Sequence, residues 1–374
     1  MIIAMRSYYS LLLICVFAAA ARAQEVQRLS LNIGDPAPPL RLRAWLKGPP
    51  VPRLEKGKVY VVEFWATWCG PCRTAMPHLS ALARKYRDKV TVLSIDVYER
   101  KSTPIEKIKA FVDSMGDKMD YSVAAEDGYL MQSGWLHAAE IGGIPSAFVV
   151  DAEGKIAWIG HSMLLGEVLP QVLNNTLDVK AALAKRNQDK RLAKLDEDAY
   201  YELLRYRHDP MHPEDLRDPD SVLLLINQIV DKEPGLKYAP RIAFYTFAAL
   251  LKTDPQKAYA YGKTVIVTPT YEDPAWDQIR GAVKIYGDRL NLPPQIYQLG
   301  AEAYQALIDH IGFPENVDVY KYYNNMATLY WRAKDTSKAI DAQQKAIADL
   351  KSRKNYSGAI LAEYESRLQQ YKSM

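Results

Sequence analysis

Two cysteines, Cys69 and Cys72, are the residues of this sequence best suited to chemistry. They lie in the segment TWCGPCR, and the third cysteine, Cys15, lies in an apolar segment near the N-terminus. A disulfide between residues this close closes too short a loop to stabilise a fold. A zinc site needs four ligands, and no second Cys or His pair has suitable spacing; covalent haem attachment needs His where Arg73 stands. We therefore predict a redox-active pair and no metal.

A second unusual residue, Glu63, lies inside the apolar run VYVVEFW, Val59–Trp65. Burying a carboxyl group is costly, so its presence requires either contact with solvent or a function. Alternation places Glu63 on one face with Val61 and Trp65, and that face is dry if the strand is parallel and covered on both sides. The pKa of such a carboxyl is expected to be raised.

The elements that must position these residues alternate between strand and helix from Gly34 to about Asn175. The pattern predicts strands over 58–66, 90–97 and 121–124, helices over 70–88, 104–115 and 164–174, and a β-hairpin over 146–160. This order indicates an α/β domain whose parallel sheet carries an antiparallel edge.

Three separated segments resemble the thioredoxin superfamily and, within it, the secreted TlpA/ResA-like thiol-disulfide oxidoreductases. They are NIGDPAPPLRL (32–42), FWATWCGPCRTAMP (64–77) and GGIPSAFVVDAEGKI (142–156). A lone CxxC has little specificity, but Trp-Cys-Gly-Pro-Cys between a strand and a helix, followed by Ile-Pro and a hairpin, is specific. The resemblance covers about residues 32 to 175 and implies a thioredoxin-like domain, a mixed sheet flanked by helices.

The position of the cysteine pair at the start of a helix indicates their roles. Unpaired N–H groups and the helix dipole favour a thiolate at Cys69, which is the predicted nucleophile. Cys72 is close enough to attack the resulting mixed disulfide and is the predicted resolving thiol. Gly70 and Pro71 fit the tight turn into the helix, and the resemblance associates Gly-Pro with reducing thioredoxins. Trp68 is expected to shield the nucleophile.

The resemblance also assigns the remaining site residues. Pro145 matches the family's cis-proline, which faces the cysteine pair, and the backbone at Ile144 would pair with a substrate strand. In thioredoxins an acid stands at the position of Glu63 and assists proton transfer at the buried cysteine, so Glu63 is the predicted general acid/base for Cys72. One position departs from the TlpA/ResA-like pattern: Ala75 stands where many relatives carry glutamate.

The remaining half of the chain, from residue 177 onwards, has a different sequence pattern. A charged, helical connector is predicted over 177–219, with a proline-rich boundary at about 208–220, and an all-α helical-repeat domain over 220–374. The segments DPQKAYAYGKTVI (254–266) and DTSKAIDAQQKAI (335–347) resemble each other, which indicates a repeat. The longer segment 322–350, which contains the second copy, resembles a tetratricopeptide unit. The unit is degenerate, since Gln343 replaces an aromatic residue and Lys334 a turn glycine.

The N-terminus predicts secretion. Arg6 precedes an uncharged, mostly apolar run from Ser7 to Ala21, and ARAQ offers a cleavage site after Ala23, so 1–23 is the predicted signal peptide and 24–176 the redox domain. An uncleaved membrane anchor is the alternative, although the run is shorter than the roughly 20 residues of a membrane span. Cleavage lowers the formal charge from +4 to +2, which gives no sign of nucleic-acid binding.

The sequence thus predicts a secreted, periplasmic thiol-disulfide oxidoreductase that reduces protein disulfides through Cys69 and Cys72 without a bound cofactor. Its expected partners are disulfide-bearing proteins and a membrane thiol protein that donates electrons. Two alternatives stay open. The same residues serve an oxidase or isomerase, and the helical region could instead make this an interaction protein that carries the redox domain as an effector.

Overall fold

The protein is described here by a computed structural model covering residues 30–209, 212–216, 218–271, 274–310, 318–353 and 356–373. The chain forms two compact units, and the main division along the sequence falls between Val179 and Lys180. The predicted signal peptide lies outside the described residues. The domain limits inferred from the sequence stay predictions.

A six-stranded mixed sheet forms the centre of the first unit. Its strands are β1 (Leu42–Lys47), β2 (Val59–Trp65), β3 (Val90–Asp96), β4 (Ser122–Glu126), β5 (Ser146–Val150) and β6 (Ile156–Gly160). Their order across the sheet is β1-β4-β3-β2-β5-β6. Strands β2, β3 and β4 are parallel, whereas β1, β5 and β6 run antiparallel to their neighbours. The antiparallel hairpin edge was predicted; β1 adds a second antiparallel edge that the sequence did not indicate.

The central strand β2 is buried on both faces, as expected for a strand with neighbours and helices on all sides. On one face Phe64 packs with Phe148 and Trp135 at ring-centroid distances of 5.6 and 6.1 Å. On the other face Trp65 stacks on Phe111 at 5.5 Å. Glu63 shares the face of Trp65, as the alternation predicted.

Among the described residues of the first unit, three α-helices accompany this sheet: α1 (Gly70–Lys85), α2 (Ile105–Met115) and α3 (Leu165–Leu173). A π-helix over Gln132–His137 carries Trp135 into the core. Each α-helix lies within two residues of its predicted position, except that α1 ends three residues earlier.

The second unit is mostly helical. Its helices are α4 (Val179–Leu203), α5 (Pro219–Lys232), α6 (Pro240–Thr253), α7 (Pro255–Val265), α8 (Trp276–Gly287), α9 (Pro294–His310), α10 (Val319–Arg332), α11 (Thr336–Ser352) and α12 (Gly358–Lys372). A short antiparallel pair, β7 (Arg207–Asp209) and β8 (His212–Leu216), lies where the sequence predicted a proline-rich interruption of a helical connector. Proline cannot continue a helix, which accounts for the change of structure there.

The two similar segments of the second unit begin their helices in the same way. Asp254 caps α7 by accepting a 3.0 Å hydrogen bond from the N–H of Lys257, and Asp335 caps α11 through the N–H of Lys338 at 3.1 Å. Lys334, which stands where the tetratricopeptide pattern has glycine, has a φ of 59° in the left-handed region that favours glycine. The tetratricopeptide character itself stays a prediction.

Candidate active site

The two cysteines lie where β2 leads into α1. Cys69 is the N-cap residue of α1, and its Sγ accepts a 3.1 Å hydrogen bond from the backbone N–H of Cys72. The two sulfurs form a disulfide. Cys69 is 3% exposed, whereas Cys72 has no exposed surface. Because the free N–H groups of a first helical turn stabilise negative charge, this geometry favours a thiolate at Cys69.

Gly70 and Pro71 form the first turn of α1. Proline at the start of a helix costs no hydrogen bond, because the first N–H groups have no partner within the helix. A Cβ at Gly70 would meet no atom within 4 Å. Packing therefore does not demand glycine there, and the absence of a side chain leaves the approach to Cys69 open.

The segment Ile144–Pro145 lies against the cysteine pair. Its peptide bond is cis, and the carbonyl oxygen of Ile144 is 3.8 Å from Cys69 Sγ. Ser146 holds the turn by donating a 2.8 Å hydrogen bond to the carbonyl of Gly143. The structure thus brings together the two parts of the chain that the sequence had assigned to one site.

The loop before Cys69 is fixed by hydrogen bonds to the residues after β3. Thr67 donates to Glu99 Oε1 twice, from its backbone N–H at 2.8 Å and its hydroxyl at 2.6 Å. Trp68 donates its indole N–H to the carbonyl of Tyr98 at 3.2 Å, and 58% of its surface remains exposed. Trp68 therefore presents a fixed apolar surface beside the cysteines.

Glu63 lies on β2, which leads into the cysteine loop, and is 1% exposed. Its Oε2 accepts a 2.5 Å hydrogen bond from Ser94, and its Oε1 accepts one of 3.5 Å from Ser162. Burial raises the pKa of Glu63 to about 7, although the two serine hydroxyls act to lower it. A carboxyl with this pKa can both take up and release a proton near neutral pH.

Comparison with known proteins agrees with this geometry. The family model described as Thioredoxin matches residues 53–112. The chain is 36% identical over 150 residues to protein FixW of Rhizobium leguminosarum, a match that covers 39% of this chain and 67% of FixW. It is 32% identical over 123 residues to the thiol-disulfide oxidoreductase ResA of Bacillus anthracis, covering 33% of this chain and 63% of ResA. The chain belongs to the thioredoxin family of thiol-disulfide oxidoreductases.

This thioredoxin-family chain spans about two thirds of the length of these two relatives. Among solved structures, the thioredoxin domain of a thiol-disulfide oxidoreductase from Bacteroides vulgatus is 28% identical, with a TM-score of 0.31, over 38% of this chain and 99% of that domain. The segment that matches the thioredoxin family model contains Glu63, Cys69, Cys72 and Ser94.

The described residues of this thioredoxin-family chain were searched for metal sites and for membrane-spanning helices. Within them, no three His, Cys, Asp or Glu side chains are grouped closely enough to hold a metal ion. Nor does the described part contain a helix whose length and apolar character would let it cross a bilayer.

Sequence reasoning did not find the serines that contact Glu63. Ser94 lies opposite Glu63 in the parallel register of β2 and β3, and Ser162 follows β6 in a 3₁₀ turn, Ser162–Leu164. Both serines are fully buried. Ser94 is a polar residue inside the otherwise apolar predicted strand 90–97, and this could have marked it as a candidate. Its partner, however, depends on strand pairing that the sequence does not give.

Proposed function

We propose that this protein is a secreted reductase of protein disulfides in which Cys69 is the nucleophile and Cys72 the resolving thiol. The observation that carries the proposal is the placement of Cys69. It caps α1, it is the less buried cysteine of the pair, and its Sγ lies 3.8 Å from the carbonyl oxygen of Ile144. A substrate strand that pairs with the backbone at Ile144 would bring its disulfide to Cys69.

The reaction begins with the reduced protein. The Cys69 thiolate attacks one sulfur of the substrate disulfide, forms a mixed disulfide and releases the other substrate sulfur as a thiolate. Cys72 then attacks Cys69 Sγ, releases the second substrate sulfur and closes the Cys69–Cys72 disulfide seen in the structure. Two electrons pass to the substrate, and the two cysteine sulfurs carry them without a bound cofactor.

Glu63 acts as the general base for Cys72 in the second step and as its general acid when the disulfide is reduced again. A buried thiol is a poor nucleophile until it loses its proton. The buried carboxyl, with its pKa of about 7, is suited to accept that proton at neutral pH and return it later.

Each cycle leaves the protein oxidised, so we propose that a membrane thiol protein restores the dithiol. Secretion to the periplasm, with cleavage after Ala23, is supported by the apolar N-terminal segment. We also propose that the helical unit recruits a protein partner. To test this, the rate of target reduction by residues 24–176 is compared with that of the full chain. Equal rates would show that the helical unit does not recruit the target.

The midpoint potential of the Cys69/Cys72 pair tests the direction of electron flow. The full chain without residues 1–23 is equilibrated in thiol/disulfide buffers and read by tryptophan fluorescence, since Trp65 and Trp68 lie just before Cys69. A potential near the roughly −270 mV of thioredoxin supports a reductase. A potential near about −120 mV would instead make the protein an oxidant of its substrates and reject the proposed direction.

A further inference from the structure

A cavity of about 270 Å³ lies in the first unit, where the carboxyl ends of β3 and β4 meet. It is lined by residues of β1, the loop after β3, the start of α2 and the end of β4. In open α/β sheets, ligands commonly bind outside the carboxyl ends of parallel strands. The cysteine loop follows the neighbouring strand β2 at the same edge of the sheet.

The charged lining residues that are buried or half-buried, which we call the inner wall, are acidic. Asp96 is 2% exposed, and among the described residues its Oδ1 has no hydrogen-bond partner. A buried polar atom without a partner is costly, so a bound group that supplies a hydrogen bond to it would be stabilised. Glu99 and Glu126 also line the cavity, and their carboxyls accept hydrogen bonds from Thr67 and Gln132. Burial raises the pKa of Asp96 to about 9, and the charges of these two neighbours and a hydrogen bond with Glu99 act in the same direction.

The outer rim of the cavity carries cations instead. Arg43, Arg100 and Lys101 line it and are exposed, so they keep their hydration. Lys101 Nζ lies 5.5 Å above the ring of Tyr129. A charge on the partly dehydrated inner wall gains more from an opposite partner than a charge in water does. Among possible ligands, a cation that reaches the carboxyls of the inner wall should therefore gain the most electrostatic binding energy.

We propose that this cavity receives the ammonium or guanidinium group of a lysine or arginine side chain of the disulfide-bearing protein substrate. The inference rests on the proposed function. Ile105 and Ile108 offer an apolar wall for the methylene stem of such a side chain. The cation relieves the repulsion among the carboxyls and provides the partner that Asp96 Oδ1 lacks.

Glu99 connects the cavity to the cysteine loop. Glu99 lines the cavity, and its Oε1 accepts both hydrogen bonds from Thr67, which lies in the loop before Cys69. A basic residue near the substrate's disulfide could therefore occupy the cavity while the disulfide approaches Cys69. The cavity would select substrates by the charge beside their cysteines.

The first experiment measures binding without any reaction. The oxidised full chain is titrated with Nα-acetyl-lysine amide, Nα-acetyl-arginine amide and, as the uncharged control, Nα-acetyl-norleucine amide, and amide NMR shifts are followed. The two basic compounds should shift the signals of residues 96–101 and 125–129, and norleucine amide should not. Asp96→Asn should weaken binding about tenfold, because the amide cannot release a proton and become the carboxylate that a bound cation favours.

Two further variants control this measurement. Glu126→Gln removes a different carboxyl of the cavity and should also weaken binding, which keeps the test valid if Asp96→Asn does not fold. Glu106→Gln removes an exposed charge from α2 outside the cavity and should leave binding unchanged. Absence of shifts with both basic compounds, or equal affinity in the cavity variants, overturns the proposal.

The second experiment separates a substrate side chain from a free amine. Disulfide peptides that carry arginine or norleucine beside the cysteine are reduced by the dithiol form. We expect kcat/KM to be about tenfold higher for the arginine peptide, and Asp96→Asn to remove the difference. Binding of the free amides with equal reduction of both peptides overturns the substrate assignment. Amide binding without reduction of any peptide contradicts the proposed function but leaves the cation site standing.

Discussion

Ser94 on β3 lies directly opposite Glu63 on β2, and its hydroxyl donates a 2.5 Å hydrogen bond to Glu63 Oε2. Ser162 donates to the other carboxyl oxygen at 3.5 Å. Burial favours the protonated acid, whereas these two donors favour the carboxylate. The protonation of Glu63 near neutral pH thus reflects the register of two parallel strands as well as the burial of one side chain.

Replacing Ser94 by alanine should raise the pKa of Glu63 above its value of about 7, because the carboxylate loses its shorter hydrogen bond while burial is unchanged. The pKa is measured from the ¹³C chemical shift of the labelled carboxyl in the oxidised protein. Tyr121, a titratable neighbour, does not interfere, because burial raises its own pKa well above the ordinary value.

Ser122→Ala is the matched control for this variant. Ser122 is also a buried serine of the same sheet, but its hydroxyl donates to the carbonyl of Pro49. The pKa of Glu63 should not move in Ser122→Ala. An unchanged pKa in Ser94→Ala would show that burial alone determines the protonation of Glu63.

Glu63 should make the folded protein less stable as the pH rises. The pKa of Glu63 is about 7 in the folded protein and 4.5 for an unperturbed glutamate, which represents the unfolded chain. The folded state therefore binds the proton more tightly. The contribution of this proton to the free energy of unfolding is fully present below about pH 4.5. It is lost as the pH rises through about 7, and the total loss is roughly 3 kcal/mol. Glu63→Gln should not show this decrease in stability with pH, and at neutral pH it should be at least as stable as the wild type.

Urea unfolding of both proteins across this pH range measures the effect. Asp96, whose pKa is raised to about 9, contributes a loss of the same sign, but it is present in both proteins and cancels in the difference. Parallel pH profiles for the two proteins would contradict the pKa assigned to Glu63.

The two cysteines should differ in the products of their serine variants. Cys69→Ser should abolish disulfide reduction, because the remaining thiol of Cys72 is fully buried. Cys72→Ser should retain the attacking thiol but lack the resolving one, and so accumulate a mixed disulfide with the substrate. Non-reducing gels and intact-mass spectrometry detect this adduct. Full turnover by Cys72→Ser would exclude the two-cysteine mechanism.

In the helical unit, Asp196→Ala should cost roughly 3 kcal/mol of stability. Asp196 is fully buried on α4 and accepts hydrogen bonds from the N–H groups of Arg241 and Ile242 at the start of α6 and from the hydroxyl of Tyr271. Its removal leaves these donors without their acceptor. Urea unfolding followed by far-ultraviolet circular dichroism measures the loss.

Asp198→Ala provides the comparison for Asp196. Asp198 lies on the same helix but is exposed, with its carboxylate 2.7 Å from Lys194 Nζ. An exposed pair of this kind contributes at most about 1 kcal/mol. Equal stability of the two variants would mean that Asp196 does not join α4 to α6 as the hydrogen bonds indicate.

Local sequence patterns predicted the parts of the first unit whose burial is regular. Strand β2 has apolar residues on both faces, and the helix after Cys69 has apolar residues at helical spacing, so both were found. Strand β1 was missed because only Leu46 of it is buried and its pairing with β4 is irregular. With one buried residue, a strand has no alternation to detect.

The same limit applies to the site. Cys69, Cys72 and Glu63 are unusual residues in their segments, so type and spacing drew attention to them, and the resemblance to thioredoxins assigned Pro145. Ser94 and Ser162 are ordinary residues that matter because β3 and β6 bring them to Glu63 from 31 and 99 residues away. The acidic cavity likewise forms from segments that are distant in the sequence, and no single segment shows it.

The fixed indole of Trp68 affects the thermodynamics of recognition. An exposed tryptophan usually loses rotational freedom when a partner packs on it, and that loss weakens binding. Here the hydrogen bond to Tyr98 and the anchoring of Thr67 by Glu99 restrict the ring in the free protein. Much of the ordering entropy is therefore lost during folding, and a protein that contacts Trp68 meets a surface that is already ordered.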